Sequence, residues 1–201
     1  MTHVPRVGAQ RPGGRAARVR ADVLGATIEV LDEVGYDQLG VEEVARRAGV
    51  HKTTVYRRWP TKPELVADAV RVTAEVEIPV PDTGALTGDL RALARAVAAT
   101  ISGGGGARRA RSIVAAAASA DGLDEALGRF WAARMALATP IIERAIERGE
   151  VPSDCDPITV IETTVGALWL RALLTGEPLD DAFVVAVADL VSAGATGEAS
   201  S

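Results

Sequence analysis

The densest set of side chains able to make strong, directed contacts lies between Lys52 and Arg58, where Lys52, Thr53, Thr54, Tyr56, Arg57 and Arg58 follow one another around Val55. Cations suit phosphate groups, and short donors with a methyl-bearing hydroxyl suit base edges in a DNA major groove, so this set is built to bind a polyanion rather than to catalyse. Elsewhere reactive groups are sparse. His3 and His51 are isolated, Cys155 is the single cysteine, and no spacing matches a metal site. No general base, activated nucleophile or metal centre can be assembled from these, so neither an enzyme nor a bound cofactor is expected. One further charge stands in apolar surroundings. Arg134 falls in the middle of a helical face made by Leu123, Leu127, Phe130, Leu137 and Ile141, with Trp131 and Ala138 beside it. On another helix Glu162 shares a side with Trp169 and Leu173. A buried guanidinium must be paired, so either Arg134 and Glu162 form a structural ion pair or Arg134 meets an anionic group of a ligand.

Charge is distributed unevenly around these groups. Residues 1–62 hold 11 Lys and Arg against 7 Asp and Glu, a net of +4, whereas residues 63–201 hold 11 against 20, a net of −9. Polyanion binding is therefore confined to the amino-terminal part, although the whole chain carries −5. Residues 1–17, rich in Gly, Pro and Arg without a hydrophobic period, read as a flexible basic arm whose Arg6, Arg11 and Arg15 serve either phosphate contact or solubility. No apolar segment precedes the first helix and no apolar run reaches the ~18 residues of a membrane span, and a lone cysteine suits a reducing compartment, so a cytoplasmic protein is expected.

Apolar recurrence at three and four residues predicts an all-α chain of about nine helices. The first runs from Arg18 to a stop at Gly35. Two short ones follow, from Val41 to Gly49 and from His51 or Lys52 to Trp59. Thr61 to Glu64 reads as a capping box that opens a fourth helix reaching about Val76. Beyond a proline-containing loop come a fifth carrying Leu86 to Ile101, a four-glycine run read as a flexible connector, and an Ala-rich sixth. A long seventh is capped by Asp121 and kinked at Pro140, an eighth is capped by Asp156, and a last begins near Leu179. The second and third helices, joined by Ala48-Gly49-Val50, make a helix-turn-helix, with the glycine permitting the tight turn. Val55 and Trp59, four apart, face inward and leave the polar set outward.

The segment GYDQLGVEEVARRAGVHKTTVYRRWPTKPELV (residues 35–66) resembles the amino-terminal domain of the tetracycline-repressor (TetR) family, on the combined register of Gly35-Tyr36, Val41 to Ala45, Ala48-Gly49-Val50, Tyr56, Trp59 and Lys62. The resemblance covers about residues 18–66 and implies a DNA-binding module over 18–62 followed by a helical effector-binding and dimerisation domain over 63–201. It also implies Lys52, Thr53 and Thr54 at base edges of double-stranded palindromic DNA, with Tyr56, Arg57, Arg58 and Lys62 on phosphates. Gly40 stands where the family usually has Ser or Thr, so only its backbone amide is left for such a contact, and His51 likewise replaces a hydroxyl residue. The last two helices carry Ile158, Ile161, Val165, Leu168 and Ala172 on one face and Phe183, Val187, Leu190 and Val191 on another. The resemblance implies that this pair joins its twin in a homodimer, and intramolecular core is the other reading. It implies a repressor released from its operator by a small-molecule effector, for which Phe130, Trp131, Arg134, Glu162 and Trp169 are the candidate contacts. The alternative is a regulator controlled by a protein partner, for which a filled core would speak.

Overall fold

Small apolar side chains recurring along one face let helices approach closely, and the chain uses this spacing throughout. The structure is a computed structural model that describes residues 14–197, with only the backbone of residues 75–77. Its α-helices are α1 (Arg15–Gln38), α2 (Val41–Arg47), α3 (Lys52–Arg58), α4 (Lys62–Glu77), α5 (Leu86–Ser102), α6 (Gly106–Ala117), α7 (Leu123–Ala138), α8 (Pro140–Glu147), α9 (Pro157–Leu170) and α10 (Asp181–Thr196), with a π-helical turn, Arg171–Thr175, extending α9. No strand occurs among the described residues. Thr139 keeps helical dihedrals between α7 and α8, so the two are arms of the single helix that Pro140 was expected to kink.

Several boundaries differ from expectation for local reasons. Gly14 precedes α1 as its N-cap and Arg15 to Ala17 open the helix instead of belonging to the arm, while residues 1–13, with Arg6 and Arg11, lie outside the described residues. Gly35 adopts φ 76°, which breaks α1 where a stop was expected, but a further helical turn runs on to Gln38. Asp121 does not cap α7, because Gly122 in a left-handed conformation takes the cap position and no side chain bonds there. Of the other expected caps, Thr61 accepts from the Glu64 amide at 3.3 Å, one limb of the capping box, and Asp156 accepts from the Ile158 and Thr159 amides; Asp180, which was not selected from the sequence, accepts from the Phe183 amide. The four-glycine run is a packed turn. The Gly106 amide donates to the Gly103 carbonyl, and a Cβ on buried Gly106 would lie 2.2 Å from the Thr100 carbonyl oxygen.

Two hydrophobic clusters result. One gathers Val23, Leu31, Tyr36, Val44, Val55, Trp59 and Leu65 and borrows Ile113, Ala116 and Leu123 from α6 and α7. The other joins Leu90, Leu93 and Val97 of α5 with Phe130, Ile141, Ile161, Leu168 and Val184. Helix α4 runs through both, giving Leu65, Val66 and Ala69 to the first and Ala74 to the second, with Val70 touching each.

The expected dimer face needs correction. Ile161, Val165, Leu168 and Ala172 are buried inside the protomer, and Phe183 and Val187 are half-buried, Phe183 under the Arg171 guanidinium at 4.0 Å. Of the residues assigned to the interface only Leu190 is exposed, at 76%, and it is joined by Leu170 and Leu174, which had not been selected. Helical periodicity identifies the apolar side of a helix but does not distinguish a chain's own core from a partner. The stretch Pro157–Thr175 also has the length and apolarity of a membrane span, against the expectation that no run would reach it, yet its Ile161, Val165 and Leu168 are committed to the core.

Candidate nucleic-acid interface and cavity

The α2–α3 corner is fixed by backbone geometry. Gly49 adopts φ 65°, its amide donates to Arg46, and the Val50 amide reaches back to Ala45 at 3.0 Å. That turn directs Val55 (fully buried) and Trp59 into the first cluster, and it leaves Lys52, Thr53, Tyr56, Arg57 and Arg58 exposed, with Thr54 half-buried. The side chains that the sequence brings together are thus on one outward surface. Lys52 approaches Glu42 at 3.5 Å, with both side chains largely in solvent, an arrangement that a phosphate can displace at little cost. Arg58 lies 5.5 Å from the Trp59 ring.

Lys62 and Gly40 fit less simply. The Lys62 ammonium lies 4.4 Å over the Tyr36 ring and donates to the Asp37 carbonyl, so it ties α4 to the end of α1. Burial lowers its affinity for a proton, and nearby Asp37 only partly offsets this. Gly40 precedes α2 with no side-chain cap, and Glu42 and Glu43 occupy the turn behind it. His51 likewise precedes α3 without capping it.

Two ion-pair hubs that hold this surface were not singled out from the sequence. Asp68 on α4 accepts two bonds from Arg20 at 2.8 Å, one from the Trp59 indole at 3.0 Å, and others from Arg71. Burial pushes the Asp68 carboxyl up, but the bonds from Arg71, Trp59 and Arg20 more than offset this and hold it below the usual aspartate range. Arg47 makes a bidentate pair with Glu33 of α1 and also bonds Glu43, which Arg46 grips as well. Hydrogen bonds from Arg46 and Arg47 lower the Glu43 carboxyl to about 2. The available signal for Asp68 was Trp59 itself, since a buried indole N–H needs an acceptor. The sequence does not say which carboxylate supplies it.

Between α4, α5, α6, α7 and α9 lies a cavity of about 450 Å³. Phe130, Trp131, Arg134, Glu162 and Trp169 all line it. The aromatic rings form an edge-to-face run, Phe130 to Trp131 at 4.9 Å and Trp131 to Trp169 at 5.4 Å. Arg134 is buried, as its place on the apolar face requires, but the alternative of an ion pair with Glu162 is not what forms. Its guanidinium donates to the Ile78 carbonyl at 2.6 Å, at the end of α4, while Glu162 is exposed. Leu137, placed on the same face from the sequence, points outward and is 48% exposed.

Arg109 was not selected from the sequence. It lines the cavity and pairs with Asp32 of α1 at 3.2 Å, while Ser112 accepts a bond from the Tyr36 amide. Arg111 donates to the Ala172 carbonyl in the π turn. Helix α6 is thereby tied to α1 on one side and to the end of α9 on the other.

Comparison with known proteins agrees with this arrangement. A family model described as "Bacterial regulatory proteins, tetR family" matches residues 23–69, and one described as "Tetracyclin repressor-like, C-terminal domain" matches residues 80–191. The chain is 35% identical over 190 residues to the HTH-type transcriptional regulator AqdR of Rhodococcus erythropolis, covering 94% of this chain and 91% of AqdR. It is 32% identical over 184 residues to the DNA-binding transcriptional repressor TetR of Mycobacteroides abscessus, covering 84% and 89% of the two chains. Among solved structures, the TetR family transcription regulator SCO0332 matches with a TM-score of 0.77 at 36% identity, over 88% of this chain and 98% of that one. These relatives are regulators of transcription, not enzymes. With an outward basic helix held in a helix-turn-helix and a separate cavity in the larger helical part, the chain belongs to the TetR family of helix-turn-helix, DNA-binding transcriptional regulators.

Proposed function

We propose that this protein is a cytoplasmic, homodimeric repressor that binds a palindromic operator through α3 and leaves it when a small molecule occupies the cavity. The carrying observation is that a cavity of about 450 Å³, within the ordinary range of small-molecule sites, is walled in part by α4 and α6, the helices that pack on α1 of the DNA-binding module. A filled core would instead have favoured control by a protein partner. In this reading Lys52, Thr53 and Thr54 meet base edges, and Tyr56, Arg57 and Arg58 meet phosphates. Lys62 and Gly40 belong to the edge of that footprint, Lys62 after leaving the Tyr36 ring and Gly40 through its amide. Residues 18–62 act as the reading head and 63–201 as the sensor and dimer scaffold. The dimer forms on the outward stripes Thr163, Gly166, Leu170, Leu174 and Ala186, Leu190, Gly194, which support close helix packing against a second copy.

Anisotropy titration of the full chain on DNA from its own upstream region tests the reading. If Arg57 and Arg58 of each protomer neutralise phosphates, four contacts per dimer give a slope of about −4 for log affinity against log salt. A slope near zero, or unchanged affinity when Arg57 and Arg58 are replaced by Ala, overturns it.

A further inference from the structure

We infer that the cavity takes an apolar molecule ending in a carboxylate, and that Arg109 reads the carboxylate by exchanging Asp32 for it. This rests on the proposal that the cavity is the effector site. Apart from Thr73, Thr100, Arg109, Arg134 and Glu162, every residue lining the cavity is apolar or glycine. The Thr73 and Thr100 hydroxyls donate to the carbonyls of Ala69 and Ala96 in their own helices. Arg134 donates to the Ile78 carbonyl, and Glu162 carries the wrong sign for an anion. Arg109 differs. One Nη donates to Asp32 at 3.2 Å, long for a charge-assisted bond, and the other nitrogens of its fork make no hydrogen bond among the described residues. A carboxylate accepts two parallel bonds from such a planar fork, which neutral groups of similar size do not.

Arg109 also borders a recess that it shares with Asp32, Thr73, Thr100 and Gly104, so it stands between the cavity and α1. Its side chain is only 11% exposed, which keeps water from screening whichever anion it holds. A neutral molecule leaves the Arg109–Asp32 pair intact. A carboxylate competes with Asp32, which lies three residues before the Gly35 break in α1. Such a ligand therefore distinguishes a protein with the pair closed from one with it open, the differential affinity that any coupling requires.

The test uses the full-length protein and matched probes, 4-phenylbutyrate with 4-phenylbutyramide and decanoate with decanamide. Binding is read by tryptophan fluorescence, since Trp131 and Trp169 line the cavity, and by release of operator DNA. The acids should bind about tenfold or more tightly than their amides, and Arg109→Gln should level the pair. Asp32→Asn, which removes the competing charge and keeps only a neutral acceptor, should raise affinity for the acids severalfold and leave the amides unchanged, a gain that a merely structural ion pair does not give. If Arg109→Gln fails to fold, the Asp32→Asn measurement decides alone. Amides binding as tightly as acids, an acid preference that survives Arg109→Gln, or acid affinity unmoved by Asp32→Asn each overturns the assignment to Arg109 while leaving the cavity as an effector site. No binding by any probe overturns both.

Discussion

Replacing Asp68 with Ala should loosen the recognition helix without touching any residue that faces DNA. The carboxylate side chain is 20% exposed and serves three partners. Losing the Arg20 pair, in which one Nη meets both carboxylate oxygens and which is partly screened by solvent, costs about 1–2 kcal/mol, an intermediate value between exposed and buried pairs. The Arg71 pair, one turn along the same helix and more exposed, adds about 0.3–0.5 kcal/mol. The Trp59 indole N–H, on a residue only 6% exposed, loses its acceptor at about 1–3 kcal/mol. Together these give about 2–6 kcal/mol, or a fall in Tm of about 5–22 °C for a chain of this size. Asp68→Asn keeps an acceptor for the indole and should lose about half as much. The pH dependence has a definite sign. The folded carboxyl titrates below its ordinary 3.8, so its contribution is complete above that value and disappears as pH falls through the folded one. Calorimetry from pH 7 down to 3 should therefore show wild type and Asp68→Asn converging only below 3.8. A Tm for Asp68→Ala within about 1 °C of wild type, or a gap constant to pH 3, refutes the hub.

Other outcomes follow from particular contacts. Thr53→Ala with Thr54→Ala should flatten discrimination among operator variants by about 1–3 kcal/mol per lost base contact while leaving the salt slope unchanged, as read by anisotropy on substituted sites. Leu190→Arg should give folded monomers in sedimentation, because that side chain is 76% exposed, whereas Leu168→Arg should abolish folding, because Leu168 is wholly buried in the protomer. Gly106→Ala, whose Cβ would meet the Thr100 carbonyl oxygen at 2.2 Å, should lower stability by about 1–3 kcal/mol, seen as a lower denaturation midpoint, and shift the cavity wall that both residues line.

What the sequence could show depended on how local the cause was. The Gly49 turn, the inward pair Val55 and Trp59, and the caps at Thr61 and Asp156 are set within a few residues, so their types and spacing suffice. Arg134 was legible as a buried charge because an arginine on an apolar face is costly wherever the face packs. Its partner was not, since the Ile78 carbonyl is a backbone group 56 residues away and carbonyls leave no mark in the sequence. The same limit hid Asp68 and Arg109, whose importance comes from partners on other helices. It also misdirected the dimer assignment, because α9 is apolar on both sides. Leu168 faces inward while Leu170 and Leu174, on the outward side, are 57% and 79% exposed.

The two arginines in the cavity wall join these levels. Neither can remain an isolated charge among apolar side chains, and the fold satisfies each at a helix, α4 or α1, that also packs in the first cluster. Arg134 bonds the carbonyl of Ile78, the residue that ends α4, where a cation also suits the negative end of the helix. Arg109 bonds Asp32 in α1. Helices α1 and α4 are the two that carry α2 and α3, through the Arg47–Glu33 pair and through Asp68 on Trp59. One guanidinium is thus paired with a carboxylate of α1 and the other bonded to a carbonyl at the end of α4, so the electrostatic balance of the cavity wall is tied to where α1 and α4 lie. Any molecule that alters how the two guanidinium groups are satisfied must change the energy of keeping α1 and α4 where they are. One that fills apolar space without touching either group has only shape with which to do so.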